Sequence, residues 1–236
     1  MTTSSPPNPW PLIERWFPKR NEWSRTVHTG WSLALFIVLA GLPYSLVNRI
    51  SGWRGVSVLN VETTLDTMLP FVPAMLWLYV SFYAYFPVLF WLGSHPSRRW
   101  EAERVNQRLI QATWLVFVVF LLLPVEVDLR HQVPPGTGLE AWLTSLLHAI
   151  DTPYNAWPSL HVLQGLLVVL CVQTWMRNEQ RLSPSVNAGL WLAWALLCLS
   201  TVLVKQHYVF DVVTGAAGAL LVWRWWFRPV FNRTTG

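Results

Sequence analysis

The chain has 236 residues, of which 53% are hydrophobic and only 12% are charged, whereas soluble domains average about 25% charged residues. Several apolar runs of about 20 residues exclude an ordinary soluble domain and predict an all-α polytopic membrane protein, with the spans in one bundle. The formal net charge of +5 does not predict a nucleic-acid partner, because no basic domain lies outside the apolar runs. Cys171 and Cys198 lie inside such runs, so we expect no disulfide framework.

The chain is predicted to contain three regions. Residues 1–30 mix basic and aromatic residues, which is typical of a cytoplasmic membrane interface, and show no cleavable signal peptide. Residues 31–228 are predicted to form a six-span domain, followed by a cytoplasmic tail at residues 229–236. The predicted spans are residues 31–48, 68–93, 109–127, 160–177, 186–204 and 208–227. Leu139–Ile150 has helical apolar spacing but is too short to span, so it is predicted to lie along the membrane surface.

The distribution of Lys and Arg predicts that both termini are cytoplasmic. With the N-terminus inside, the cytoplasmic segments hold 13 basic residues and the outer segments hold 4, which is a strong positive-inside asymmetry. In this orientation three polar features face the non-cytoplasmic side. They are Arg130 after the third span, the start of the fourth span and the end of the fifth span.

Two polar clusters at the edges of apolar runs form the candidate site. In the first, His207 and Asp211 are four residues apart, so on a helix they share a face and the carboxylate can orient the imidazole. In the second, residues 155–161 place a Pro-Ser-Leu-His tetrad at the start of an apolar run. There Pro158 suits a first helical turn, and free backbone N–H groups can bind an anion.

Together these residues suit the handling of a phosphate group. His207 offers a nucleophile or base, and His161 offers a second acid or base. The candidate groups for binding an oxyanion are Arg130, Lys205 and Ser159. Two histidines and an aspartate could also hold a divalent metal, so spacing alone leaves a metallohydrolase open.

At these positions the sequence resembles the type-2 phosphatidic acid phosphatase superfamily of membrane lipid-phosphate phosphatases and phosphotransferases. That family carries three motifs, K-x6-RP, PSGH and SR-x5-H-x3-D. The second appears here as PSLH at residues 158–161. The third appears with its spacing intact, as Ser200-Thr201, five residues, His207, three residues and Asp211. The resemblance covers most of the chain from the second span onward.

The sequence departs from the family pattern at several positions. Leu160 replaces the family glycine, and Thr201 replaces the family arginine, for which Lys205 is expected to substitute. In the first motif Arg130 fits the arginine, but Leu123 stands where the lysine belongs and a histidine follows instead of proline. This combination resembles the inositol phosphorylceramide synthase-type branch, some of whose members transfer a phospho-headgroup to an alcohol.

The resemblance implies a role for each candidate residue. His207 would form a phosphohistidine while Asp211 holds its other nitrogen, and His161 would protonate the leaving oxygen. The cations Arg130 and Lys205, with Ser159, would bind the non-bridging oxygens, so that neither a metal nor another cofactor is expected.

The expected activity is hydrolysis of a phosphate ester or anhydride of a membrane lipid at the non-cytoplasmic face. Phosphatidate, phosphatidylglycerophosphate and polyprenyl (pyro)phosphate are the candidate substrates. The expected location is integral to the membrane, the plasma or inner membrane if the source is bacterial. The alternatives are a phosphotransferase with an alcohol or lipid acceptor, and a lipid-binding or transport protein without turnover. The oligomeric state is left open.

Four further expectations concern individual residues, most of them around the site. His131, His148 and Asp151 are interpreted as outer-loop residues at the mouth of the site. Asn155 is expected to brace the turn before the tetrad through its side chain. The glycines at positions 215 and 218 are expected to allow close helix packing beside the site. The pattern Asn-Arg-Thr at residues 232–234 fits glycosylation, but its predicted cytoplasmic position argues against that use.

Overall fold

The computed structural model describes residues 9–232, which form helices joined by loops. Within that range the β-structure consists of an isolated bridge between Val125 and Asn155. A short helix α1 (Pro11–Trp16) and a 3₁₀ turn (Arg20–Glu22) precede the first long helix. The predictions that concern residues 1–8 and 233–236, including most of the tail and the glycosylation pattern, lie outside the described residues.

Five helical segments in this range are long and apolar enough to cross a membrane, which confirms the all-helical membrane class. They are Arg25–Arg54, Met75–Gly93, Pro96–Leu122, Leu160–Asn178 and Pro184–Leu203. The sixth predicted span is also helical, but it falls outside this group, because Asp211, Arg224 and three tryptophans lower its hydropathy. Six spans and cytoplasmic termini therefore stay predictions.

The first of these segments contains a π-helix. Helix α2 (Arg25–Phe36) continues through the π-helix Ile37–Gly41 into α3 (Leu42–Arg54). Such insertions of one extra residue are rare in α-helices and occur often at functional sites. A loop with the short helix α4 (Thr64–Met68) then leads to the second long segment.

Prolines set the ends of the second and third segments. The second starts later than predicted, as α5 (Met75–Val80) and α6 (Phe82–Gly93), because the prolines at positions 70 and 73 lack the N–H that a helix interior needs. The third, α7 (Arg99–Leu122), begins about ten residues before the predicted start and ends ahead of Pro124. Arg130 consequently lies beyond this helix, in a 3₁₀ turn.

The remaining helices include α9, the central helix of the bundle. These are α8 (Leu139–Ile150), α9 (Leu160–Asn178), α10 (Pro184–Leu203) and α11 (Val209–Val222), which continues through the π-helix Trp223–Phe227 into α12 (Arg228–Asn232). The apolar window of α9 is 78% buried, against 22–50% for the other four segments, so α9 is the centre of the bundle. It packs against α6, α7, α10 and α11. Helix α8 buries only Thr144 and exposes large apolar side chains, as a helix on a membrane surface would.

Gly215 lets α11 approach the start of α9, as predicted. A Cβ at this position would lie 2.7 Å from the Ser159 carbonyl oxygen, whereas a Cβ at Gly218 would lie 3.4 Å from a Leu163 methyl group. The contact at position 215 is with backbone, which cannot move as a flexible side chain can. The spacing between α9 and α11 beside the tetrad therefore depends on Gly215.

We expect Gly215→Ala to destabilise the protein by about 1–3 kcal/mol, because the added methyl group must push the two helices apart. That range corresponds to a fall in Tm of roughly 3–9 °C for a chain of this size. Thermal unfolding of the purified protein in detergent measures it. The matched control is Gly189→Ala, since a Cβ there meets nothing within 4 Å. An unchanged Tm for Gly215→Ala would contradict the close approach.

Candidate active site

A cavity of about 440 Å³ lies between the first segment, α6 and α9. Its walls along the helices are largely apolar and include Leu33, Phe36, Ile37, Phe82, Phe86 and Leu160. Most of its polar lining comes from loops and helix ends, namely Arg130, Asp151, Asn155, His161, Lys205, Gln206 and His207. An apolar cleft with a few convergent polar groups is the usual form of a small-molecule site.

The structure brings the two predicted histidines and their carboxylate together. His161 Nδ1 lies 3.4 Å from His207 Nε2, and the rings meet edge to face with centroids 5.5 Å apart. Asp211 Oδ2 lies 3.5 Å from His207 Nδ1. A carboxylate at Nδ1 favours the tautomer with the proton on that atom, which leaves Nε2 as the nucleophilic nitrogen.

Aromatic rings fix the position of His161. The rings of Tyr79 and Phe82 each lie with their centroids 4.6 Å from the imidazole centroid. Both aromatic residues come from the second segment, whose helices α5 and α6 meet near Ser81. His161 is thus held between the second segment and the turn that carries His207.

A reverse turn after α10 positions His207. The backbone N–H groups of Gln206 and His207 both donate to the Thr201 carbonyl oxygen, at 3.1 and 3.2 Å. Lys205 in this turn has φ of 58°, a left-handed conformation that is uncommon for a residue other than glycine. Strained backbone of this kind persists where surrounding contacts hold it, and the Lys205 side chain supplies such contacts.

The ammonium group of Lys205 is fully buried and donates to two backbone carbonyl groups. Nζ lies 2.9 Å from the Asp66 oxygen and 2.6 Å from the Leu69 oxygen. An ammonium has three protons, so one remains for a ligand in the cavity that Lys205 lines. Its predicted contact with phosphate stays a prediction, while its observed contacts join the turn to the loop containing α4.

Asp66 is a positioning residue that the sequence did not indicate. It is fully buried, and its carboxylate accepts from the backbone N–H of Val209 at 2.7 Å and of Thr63 at 2.8 Å. The Asp211 carboxylate accepts from the Tyr208 N–H at 2.8 Å. Carboxylates therefore satisfy two free donors at the start of α11, where negative charge is stabilising. The Thr63 hydroxyl group also donates to this carboxylate, at 2.6 Å, which makes Thr63 and Asp66 a capping box at the start of α4. That spacing marks the start of a helix but does not reveal the contact with Val209.

Ser159 acts as the N-cap of α9. Its Oγ accepts from the Val162 N–H, and its own N–H donates to the Asp211 carbonyl oxygen at 3.1 Å. The side chain is fully buried and is not among the described residues that line the cavity. The hydroxyl group is thus used as a cap, and its contact with phosphate stays a prediction. Pro158 precedes the cap and does not occupy the first helical turn as expected.

Arg130 lines the cavity but uses part of its guanidinium to hold the end of α8. Its Nη1 donates to the His148 carbonyl oxygen at 3.2 Å and its Nη2 to that of Asp151 at 2.6 Å, while the buried Nε has no hydrogen-bond partner among residues 9–232. Burial, and the positive charge of Arg130, lower the pKa of His148 to about 4. His148 is therefore neutral at pH 7 and adds no charge beside Arg130.

The interpretation of three residues as outer-loop residues holds only in part. The side chain of His131 is 64% exposed, as expected. Asp151, in contrast, lines the cavity, and its Oδ1 accepts from Tyr44 Oη at 2.7 Å and Asn48 Nδ2 at 2.5 Å. Asn155 also lines the cavity. Its side chain makes no hydrogen bond within the described range, so it does not brace the turn as expected, and its backbone bridges to Val125 instead.

The described part of the chain holds no group of three His, Cys, Asp or Glu side chains placed to bind a metal ion. The Asp211 carboxylate, 3.5 Å from His207 Nδ1, also accepts the Tyr208 N–H.

Comparison with known proteins gives one match. The model of the family described as the PAP2 superfamily matches residues 58–225, well over half of the chain. No curated protein and no solved structure matches the sequence significantly. The matched range begins before α4 and includes the tetrad, the turn at His207 and most of the following helix. The chain therefore belongs to the PAP2 superfamily, the type-2 phosphatidic acid phosphatases that the motifs at residues 158–161 and 200–211 resemble.

Proposed function

We propose that the protein hydrolyses a phosphate ester or anhydride of a membrane lipid through a phosphohistidine on His207. Membership of the superfamily supports phosphoester hydrolysis or transfer in general. The observation that carries the proposal is the pair of imidazole nitrogens 3.4 Å apart at the polar part of an otherwise apolar cavity. A phosphoryl group entering there would separate the two rings and take the place of their contact.

The reaction would proceed in two displacements. In the first, His207 Nε2 bonds to phosphorus while the bond from phosphorus to the leaving oxygen breaks and His161 protonates that oxygen. In the second, water attacks phosphorus, His161 takes the proton from the water, and the bond to Nε2 breaks. Asp211 would stabilise the positive charge on the His207 ring in both steps.

The non-bridging oxygens need fixed positive charge or hydrogen-bond donors. Among the cations that line the cavity, Arg130 has an Nε atom without a hydrogen-bond partner in the described residues, and Lys205 has a third proton that they do not use. Both residues line the cavity with the histidines. Fixed cations that are already in place can stabilise the charge of a phosphoryl transition state, so we propose a reaction that does not need a metal.

The apolar part of the cavity supports a lipid substrate. Beyond the histidines its wall consists largely of side chains from the first segment and α6, such as Phe36 and Phe86. These helices are long and apolar enough to lie in a membrane. We propose that an acyl or prenyl chain occupies this part of the cavity while the phosphate group reaches the histidines.

The proposed non-cytoplasmic location rests on the positions of the cations. Arg25 lies at the start of the first segment, and Arg98 and Arg99 lie at the start of the third, at the ends of these segments opposite to those that lead into the site loops. Arg25 Nη2 donates to the Trp91 carbonyl oxygen at 3.0 Å, and Arg99 Nη2 donates to that of Trp23 at 2.5 Å. A cluster of arginines at one end of the bundle is expected on the cytoplasmic side.

Transfer of the phosphoryl group to an alcohol is the second candidate function. The departures at Leu160 and Thr201 support it, because they resemble the inositol phosphorylceramide synthase-type branch. The buried amide of Asn155 favours it as well, since the group lines the cavity without a hydrogen-bond partner among the described residues.

We expect the purified protein to release phosphate from a panel of lipid phosphates in excess EDTA as fast as without it. The panel contains phosphatidate, phosphatidylglycerophosphate and a polyprenyl pyrophosphate, each tested with and without glycerol as an alcohol acceptor. A metal-dependent phosphatase assayed in parallel shows that the chelation is complete. Loss of activity in EDTA and its return with added Mg²⁺ would contradict the metal-independent reaction. A product that forms only with the alcohol would establish the transferase.

A further inference from the structure

Three polar side chains of the cavity have no role in the proposed reaction. Asp151 and Asn155 lie in the loop between α8 and α9, and Gln206 lies between Lys205 and His207. All three line the same cavity as the histidines. The loop of Asp151 and Asn155 leads directly into the tetrad of His161, and Gln206 directly precedes His207, so these side chains come from both segments that carry a histidine.

The amide groups of Asn155 and Gln206 have unused hydrogen-bonding capacity. Asn155 is 6% exposed, and neither its Nδ2 nor its Oδ1 has a partner among residues 9–232. Gln206 is 7% exposed, and its Nε2 has no partner in the same range. Leaving a buried polar group unpaired costs about 1–3 kcal/mol, so buried amides of this kind are expected to pair when a ligand is bound.

The Asp151 carboxylate is held rigidly on one oxygen only. Its Oδ1 accepts from both Tyr44 and Asn48, whereas Oδ2 accepts no hydrogen bond from the described residues. A carboxylate repels a phosphate group but accepts readily from a hydroxyl group. Burial raises the pKa of Asp151, and the hydrogen bond from Tyr44 opposes that shift.

We propose that Asp151, Asn155 and Gln206 form a subsite for an aliphatic hydroxyl group beside the phosphoryl group at His207. The hydroxyl proton would be donated to Asp151 or to the Asn155 Oδ1, and its oxygen would accept from an amide N–H. This proposal rests on the proposed function, since it takes the phosphoryl position from it. The hydroxyl group belongs either to the substrate's own head group or to an alcohol that accepts the phosphoryl group.

The test compares Asn155→Ala with the wild type on two lipids. Phosphatidylglycerophosphate carries a free hydroxyl group in its head group, and phosphatidate carries none. If the hydroxyl comes from the substrate, KM for the first lipid rises about tenfold, and kcat/KM for phosphatidate stays within about twofold. If it comes from an acceptor, both hydrolysis rates are kept, and the yield of glycerol phosphate from phosphatidate and glycerol falls about tenfold.

A binding measurement separates this proposal from the proposed function. In a His207→Gln background, where no turnover is expected, Asn155→Ala should raise the Kd for phosphatidylglycerophosphate about tenfold relative to that for phosphatidate if the substrate carries the hydroxyl. If the wild type shows no turnover but Asn155→Ala still raises this Kd, the proposed reaction is refuted and the hydroxyl subsite is supported. Equal effects on both lipids, with an unchanged transfer yield, would refute the subsite.

The thermal stability of Asn155→Ala distinguishes a ligand-binding role of this side chain from a merely structural one. Because the Asn155 side chain makes no hydrogen bond within the described range, Asn155→Ala should keep or raise Tm. Asn60→Ala is the matched control, since Asn60 is exposed and pairs only locally with the Glu62 N–H. A large fall in Tm for Asn155→Ala would show that the amide supports the fold and would overturn the assignment.

Discussion

His207→Gln is expected to lower the rate of phosphate release roughly 10⁴-fold or more, the scale seen when a covalent nucleophile is removed. Glutamine keeps a polar side chain of similar reach but cannot form the phosphorus–nitrogen bond. Steady-state assays on whichever lipid of the panel is turned over fastest measure the loss. The matched control is His131→Gln, because His131 is an exposed histidine in the loop after Arg130 and should leave the rate within about twofold.

The same variant separates an enzyme from a lipid-binding protein without turnover. Brief incubation of the wild type with a substrate labelled in its phosphate should give an acid-labile phosphoenzyme that His207→Gln lacks. Retention of more than about a tenth of the wild-type rate by His207→Gln would exclude His207 as the nucleophile. A wild type with no phosphoenzyme and no turnover, but with lipid-dependent stabilisation, would favour the binding protein.

Lys205→Met is expected to destabilise the protein by about 2–4 kcal/mol, because two buried carbonyl groups lose a charged donor. The expected fall in Tm is about 6–12 °C for a chain of this size. Methionine preserves much of the side-chain volume, so the loss measures the hydrogen bonds to Asp66 and Leu69 more than a cavity. The control is Lys19→Met, since Lys19 is the chain's other lysine and is exposed.

A second measurement on Lys205→Met tests the predicted phosphate contact. Below its Tm, the variant should also show kcat/KM reduced roughly tenfold if the third proton of the ammonium group reaches a phosphate oxygen. A lower Tm with unchanged kcat/KM would limit Lys205 to holding the turn. A Tm within about 1 °C of the wild type would contradict a stabilising role for the hydrogen bonds of the buried ammonium group.

The sequence predicted those parts of the molecule that depend on hydropathy and on short local spacing. Long apolar runs located the five segments. The spacing of His207 and Asp211 was expected to place both on one helix face, but only Asp211 lies in α11, and His207 lies in the turn before it, with its Nδ1 3.5 Å from the carboxylate. The meeting of His161 with His207 was also predicted, because the positive-inside count assigned their segment ends to one face of the membrane. Helix ends were less predictable where prolines or polar turns extend or shorten a helix.

The contacts that support the site were not predictable in the same way. Lys205 and Arg130 are directed at backbone carbonyl groups distant in sequence, and a carbonyl group carries no residue-specific signal. Asp66 was missed because its capping-box spacing with Thr63 marks only the start of α4, whereas its contact with the Val209 N–H joins positions distant in sequence. The position of Asp151 in the cavity wall depends on its hydrogen bonds with Tyr44 and Asn48 of the first segment, which neither periodicity nor motif spacing specifies.

The π-helix at Ile37–Gly41 sets the rotation of everything that follows it in the first segment. One residue more than an α-helix would use is accommodated there, and each α-helical residue turns the chain by about 100°. If all residues were kept and this turn wound as a regular α-helix, Tyr44 and Asn48 would rotate about the helix axis by about that angle. Both side chains would then leave Asp151, so a change in the middle of an apolar helix would reach the loop that leads to His161.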